Sequence, residues 1–278
     1  MITTLLTNEE VLAGFDAVSA LYPYTPSLCM WRAWEIAAYR RCRLAPPVLD
    51  LGCGDGAFFR LAWPGVMDVT GVDMDAAAVH AARASGIYRD VVLAPAQSLL
   101  VAQGHFMSAF ANCSVEHMDD LPRVFRGIWL SLRPGGEFLF SVITRTLLEW
   151  NPLPPLAQRL GGSADKVRAD YRDYHHYGSP PTLEQWITVA RDAGFEIAEH
   201  IPVMPEVMSR ACLFLDNLWH VGAPANELGG ALQAHLQRYP QFPAAMRHFM
   251  SGLLTMEQNS RPCGGAVLRV KKPDGVPV

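Results

Sequence analysis

The nine residues Val48-Leu49-Asp50-Leu51-Gly52-Cys53-Gly54-Asp55-Gly56 constrain this chain more than any other stretch. An apolar run holding one acid reads as a short buried strand, and glycine at every second position after it demands a tight turn. Glycine lacks a β-carbon, reaches positive φ and lets a guest approach the main chain, so three in five residues predict a shelf for a nucleotide-like cofactor. The helix expected from Ala57 to about Ala62 adds its positive end, and the loop amides are expected to face a ligand such as a carboxylate or phosphate.

The rest of the chain supplies a fold around that shelf. Apolar strands near 48–51, 67–72, 90–94, 106–112 and 136–143 alternate with helical stretches, which implies a parallel sheet covered on both faces. Leu132-Arg133-Pro134-Gly135-Gly136 marks a helix end and a turn ahead of the last of these. Further strands are expected over 195–201 and 264–271. Residues 1–46 read as an N-terminal helical lid: the capping box Thr7 to Glu10 opens a helix to about Leu21, and a second helix runs from about Ser27 to Arg43, with Trp31, Trp34, Ala38 and Cys42 on one face. The α/β core takes 47–203 and 263–272, with 144–181 as an irregular insert. Residues 204–262 read as a helical insertion, either a lid or a contact between copies of the chain.

At 278 residues, half of them apolar, the chain can bury one full core. Its net charge of −4 disfavours a nucleic-acid surface, so small molecules are the expected partners. Cysteines 29, 42, 53, 113, 212 and 263 show no metal-ligand spacing and read as reduced. With no basic-apolar leader and no run of eighteen apolar residues, a cytoplasmic protein without a membrane partner is expected.

Asp73 follows Gly52 by 21 positions (73 minus 52), the interval that sets an acid beside a ribose in a strand-helix-strand unit. Gly52-x-Gly54-x-x-Ala57 also satisfies the looser dinucleotide fingerprint, which keeps a nicotinamide-dependent oxidoreductase as an alternative.

Taken with Gly71-Val72-Asp73-Met74, Phe106 through Asp119 and Leu132 through Gly136, the glycine run resembles the motifs of the class I S-adenosylmethionine-dependent methyltransferases that act on small molecules. The resemblance spans about 47–143. It implies a doubly wound, mostly parallel seven-stranded sheet with one antiparallel strand, and S-adenosyl-L-methionine as cofactor. By the same resemblance Asp50 and the Gly52-Cys53-Gly54 backbone hold the methionine part, Asp73 the ribose and Met74 the adenine, with Asn112 and Cys113 beside the cofactor. Pro95 stands where the family commonly has an acid for the adenine amine, so Ala96 main chain or the Gln97 amide takes that contact.

Methyl transfer needs collinear positioning in a dry pocket, and a base only where the acceptor is protonated. His117, just past the fourth strand, is the candidate base; capping the next turn is the alternative. His175 and His176, Glu149 and Trp150, and the phenols of Tyr22 and Tyr24 are candidates for acceptor contact; a packed aromatic turn is the alternative for the last pair. A metal is not expected, because no third ligand accompanies the histidine pair in sequence. Trp186, Phe214 and Trp219 are expected in the core of the later helices. Asn112-Cys113-Ser114-Val115 lacks the Asn-Pro-Pro-Tyr pattern tied to methylation of base amines, which again disfavours nucleic acid. The leading reading is a small-molecule methyltransferase, oxygen favoured slightly over nitrogen; a non-catalytic adenosyl-binding partner subunit is the other alternative.

Overall fold

The computed structural model describes residues 1–223, 226–257 and 262–275. In chain order it runs β1 (Ile2–Thr3), α1 (Asn8–Val18), α2 (Pro26–Tyr39), β2 (Val48–Leu51), α3 (Ala57–Ala62), β3 (Val69–Asp73), α4 (Ala76–Ala84), β4 (Asp90–Leu93), β5 (Phe106–Asn112), α5 (Leu121–Ser131) and β6 (Leu132–Ile143). There follow α6 (Arg145–Glu149), α7 (Leu153–Arg159), α8 (Ala164–Tyr174), α9 (Leu183–Asp192), β7 (Glu196–Val203), α10 (Glu206–Trp219), β8 (Gly222–Ala223), β9 (Asn226–Glu227), α11 (Leu228–Leu236), α12 (Phe242–Met256) and β10 (Gly265–Lys271).

The main sheet is ordered β1-β7-β10-β6-β5-β2-β3-β4. It is parallel except for β10, which lies antiparallel between β6 and β7. Eight strands stand where seven were expected, because Ile2 and Thr3 pair with Glu199 and His200 at the edge of β7. Central strands read as continuous apolar runs since both faces are covered. Period-two alternation sorts them: Val48, Leu139, Ile201 and Val267 pack with α1, α2, α10 and α12, while Leu49, Phe138, Phe140 and Leu268 pack with α5 and α9. Trp186 anchors the second layer, fully buried with its indole N–H on the Ile143 carbonyl.

Three expectations are corrected. The two N-terminal helices stop at Val18 and Tyr39, short of Leu21 and Arg43. Phe214 is 49% exposed and Trp219 lines a cavity, so neither joins the core as Trp186 does. The insert 144–181 is helical: the prolines of 152–155 fall at the cap and first turn of α7, where a missing N–H costs nothing, and Ser163 caps α8 through a 3.2 Å bond from Lys166 N. Residues 224–225 and 258–261 of the expected 204–262 insertion lie outside the described residues; the rest is largely helical, as expected.

The N-terminal helices meet at one close crossing. A β-carbon at Gly14 of α1 would stand 2.2 Å from the Ala33 carbonyl oxygen of α2, so no larger residue fits unless the helices part. Gly14→Val is expected to lower stability by about 2 kcal/mol or more, the upper range for overpacking. An unchanged urea midpoint would show that the crossing is not tight.

Candidate functional site

The glycine loop is built against β3. Gly52 N and Cys53 N both donate to the Val72 carbonyl, at 2.8 and 3.1 Å, and Gly54 N donates to Asp73 Oδ2 at 2.9 Å. Gly56 N donates to the Cys53 carbonyl and Ala57 N to Asp55 Oδ1. These amides are therefore engaged inside the protein, which corrects the expectation that they face a ligand. The reason is that positive φ at the loop glycines coils the chain back onto its neighbour strand. With α3 only six residues long, the arrangement offers no cradle for a pyrophosphate. Gly54 differs from its neighbours: a β-carbon there would meet nothing within 4 Å, so the main chain is bare on that side.

The carboxyl ends of β5, β2, β3 and β4 surround a cavity of about 560 Å³. Strand order reverses between β2 and β5, the place where open α/β sheets bind ligands. Gly52, Asp73, Met74, Ala96, Gln97, Cys113 and His117 all line it. Asp73 Oδ1 accepts from Asp75 N at 2.9 Å, and with the Gly54 bond this leaves lone pairs on both oxygens. Met74 is 75% exposed, a loose apolar flank. Pro95 lines the same wall, and Ala96 to Ser98 form a single 3₁₀ turn.

Asp50 and Asn112 do not line the cavity. The Asp50 carboxylate is buried and accepts from the Tyr88 hydroxyl at 2.6 Å. Strand alternation turns its side chain into the layer beneath the loop, so it supports the loop from behind and does not face a ligand. Cys53 is likewise buried, its thiol against Gly71. Burial pushes the Asp50 carboxyl up to about 7, even against the Tyr88 hydrogen bond. Native Asp50 thus holds a proton that the unfolded chain releases near pH 4, and stability falls as pH rises from about 4 to 7. Asp50→Asn removes this dependence. Its melting temperature relative to wild type is expected to rise across that window; parallel curves would show that Asp50 does not carry it.

Asn112 belongs to a network that sequence reading missed. Glu35, fully buried on α2, accepts from Ser141 Oγ at 2.7 Å, Cys113 Sγ at 2.9 Å and Arg32 Nη1 at 2.7 Å. The Tyr39 hydroxyl lies 2.6 Å from the Asn112 side chain, and Trp31 Nε1 donates to Cys113 Sγ at 3.1 Å. A lone acid inside Trp34-Glu35-Ile36-Ala37-Ala38 was the available signal. The network ties α2 to the ends of β5 and β6.

A second cavity, of about 340 Å³, opens between the start of α2, α8 and α10. Cys113 and His117 line both cavities. His117 stacks on Tyr177 at 5.2 Å, and Tyr177 stacks on His175 at 5.2 Å. The His117 ring keeps an open edge, yet partial burial, with His175 and His176 nearby, lowers its imidazole below the usual value.

Of the expected acceptor contacts, only His175 lines this cavity. His176 is exposed at a positive φ, Tyr24 stacks on Phe242 at 6.4 Å, and Tyr22 packs against the hydrophobic core beneath α1 and α2. Thr25, Leu28, Trp31 and Arg32 take the place expected of the two tyrosines, because the helix starting at Pro26 turns this face inward. Glu149 lines a separate outer cavity with Arg145 and Arg168, and Trp150 is buried.

The structure also supplies partners for His175. Its Nε2 lies 3.0 Å from Asp216 Oδ2, and His220 Nε2 lies 3.5 Å from Asp216 Oδ1. Against the upward pull of burial, the two imidazoles hold the Asp216 carboxyl well below its usual range. The expectation that the histidines lack a third companion is thereby corrected.

A family model described as a methyltransferase domain matches residues 32–209. The chain is 27% identical over 140 residues to a malonyl-[acyl-carrier protein] O-methyltransferase of Pseudescherichia vulneris, covering 50% of this chain and 56% of that protein. It is 29% identical over 161 residues to a ubiquinone biosynthesis O-methyltransferase of Pseudomonas paraeruginosa, covering 55% and 66%. The matches thus span less than two thirds of either relative. Among solved structures, the [4+2]-cyclase SpnF superposes with a TM-score of 0.55 at 20% identity over 98% of both chains. A phosphoethanolamine N-methyltransferase of Haemonchus contortus in complex with S-adenosyl-L-methionine gives 0.56 at 16% identity, covering 95% of this chain and 57% of that one. These likenesses are of fold alone. Among the described residues, no helix is long and apolar enough to cross a membrane.

Proposed function

The chain belongs to the methyltransferase-domain family, with the Rossmann-like fold of the class I S-adenosylmethionine-dependent enzymes, and from that premise we propose that it methylates an oxygen of a small-molecule acceptor. The observation that carries this reading is the meeting of two cavities at Cys113 and His117, one at the strand ends and one beneath the lid.

The first cavity suits an adenosyl group on two counts: the Gly52 main chain in its wall and the spare lone pairs of Asp73. Asp73 would accept the ribose hydroxyls, Met74 would flank the base, and Ala96 and Gln97 would meet its edge in place of the acid that Pro95 replaces. When bound, S-adenosyl-L-methionine supplies an electrophilic methyl group. His117, neutral at physiological pH, takes a proton from the acceptor hydroxyl, with Tyr177 stacked on its ring to hold it in place. Oxygen is favoured because the chain offers a base and because the curated relatives above are named O-methyltransferases.

Engagement of the loop amides argues against a nicotinamide dinucleotide, whose pyrophosphate needs them free. Six cysteines without a disulfide suit a reducing compartment, and we place the enzyme in the cytoplasm. Exposed Phe214, Leu218 and Phe249 on α10 and α12 support self-association through this region, which light scattering decides. Titration calorimetry is expected to give micromolar binding of S-adenosylhomocysteine and no response to NADH. Indifference to both, with tight capture of another chain, would instead favour the non-catalytic partner role.

A further inference from the structure

We propose that His175, Asp216 and His220 form a site for a divalent transition-metal ion in the wall of the acceptor cavity. One ligand atom from each residue lies within 4.8 Å of the other two. The histidine nitrogens stand 3.0 and 3.5 Å from the two oxygens of Asp216. Ligands held at about 2.0–2.1 Å around a tetrahedral ion are separated by roughly 3.3 Å, so the carboxylate and imidazoles already have the spacing of a coordination edge.

The residues come from two elements. His175 caps the C-terminal end of α8, and Asp216 and His220 stand four apart on one face at the end of α10. A surrounding shell fixes their orientation. Glu227 Oε2 lies 3.2 Å from His220 Nδ1, leaving Nε2 as the free ligand atom, and the Tyr174 hydroxyl donates to the same Glu227 oxygen at 3.0 Å. The Tyr171 hydroxyl donates to Asp216 Oδ2 at 2.9 Å. A carboxylate behind a ligating histidine and a hydroxyl on the ligating carboxylate are the usual supports of a metal centre.

Two nitrogens and one carboxylate suit zinc, iron(II), cobalt(II) or manganese(II) better than magnesium or calcium, which prefer all-oxygen cages. All three side chains line the second cavity, so the remaining coordination positions open onto it. His175 is two ring-to-ring steps of 5.2 Å from His117, through Tyr177. Resting on the methyltransferase reading, this separation assigns the ion the far end of the acceptor: it would hold a carboxylate or other oxygen-donor group while the hydroxyl to be methylated lies near His117.

The test is cobalt(II) titration of the chelator-stripped full chain, followed by visible absorbance. One equivalent is expected to bind with the bands of a four- or five-coordinate ion. Asp216→Asn and His220→Gln are each expected to weaken uptake 100-fold or more, and Glu227→Gln by a smaller factor. Binding of S-adenosylhomocysteine, measured on the same samples, is expected to be retained and reports that each variant is folded. Absence of uptake by wild type, or uptake unchanged in His220→Gln, overturns the site. Failure of the adenosyl ligand to bind a chain that does take cobalt would refute the methyltransferase reading and leave the metal site standing.

Discussion

Replacing Asp73 by alanine is expected to weaken S-adenosylhomocysteine binding roughly 100-fold or more, since two charge-assisted hydrogen bonds to ribose hydroxyls contribute about 1.5–3 kcal/mol each. The effect has a second source in the loop itself. Asp73 Oδ2 holds Gly54 N, so its loss also frees the segment against which the ligand rests. Asp73→Asn separates the two contributions: it keeps one acceptor oxygen, and its affinity is expected to fall between wild type and alanine. Calorimetry measures both, with circular dichroism to confirm the fold. An Asp73→Ala protein that binds within threefold of wild type would put the ribose elsewhere.

The second large effect is expected at His117. His117→Ala is expected to lower kcat by about 10²–10⁴-fold, the range for removing a positioned general base. Affinity for S-adenosylhomocysteine should barely change, because Asp73 and the loop are untouched. The pH profile adds an independent readout. The base must be neutral, and burial lowers its imidazole, so activity is expected to rise with pH through a value below the ordinary histidine range and to be complete by neutrality. That acid limb should vanish in His117→Ala. A variant retaining most of its turnover, with the limb intact, would leave His117 as a capping residue only.

How far the site could be read in advance depended on distance along the chain. Gly52, Asp73, Met74, Ala96 and Gln97 were all placed by spacing or motif, and all line one cavity. They sit at strand ends, where alternation and turn chemistry act over a few residues. Asp50 belongs to the same motif, yet its side chain faces the opposite layer and meets Tyr88, a residue no local rule pairs with it. Tyr22 and Tyr24 failed for a related reason: a helix beginning at Pro26 presents Thr25, Leu28, Trp31 and Arg32 to the cavity instead. Glu35 was visible as an isolated acid on an apolar helix, but its purpose needed Ser141 and Cys113 beside it.

By itself the sequence determined the alternating sheet, the glycine turn and the acid at the end of β3. Each of these follows from backbone preference and from apolar periods of two or about 3.6 residues, which are local properties. Only the tertiary structure decided that two cavities join at Cys113 and His117, and that His175 meets Asp216, 41 positions later (216 minus 175). Such meetings are set by how helices pack across a sheet, where burial of apolar area selects the docking and polar side chains are carried to wherever that docking leaves them.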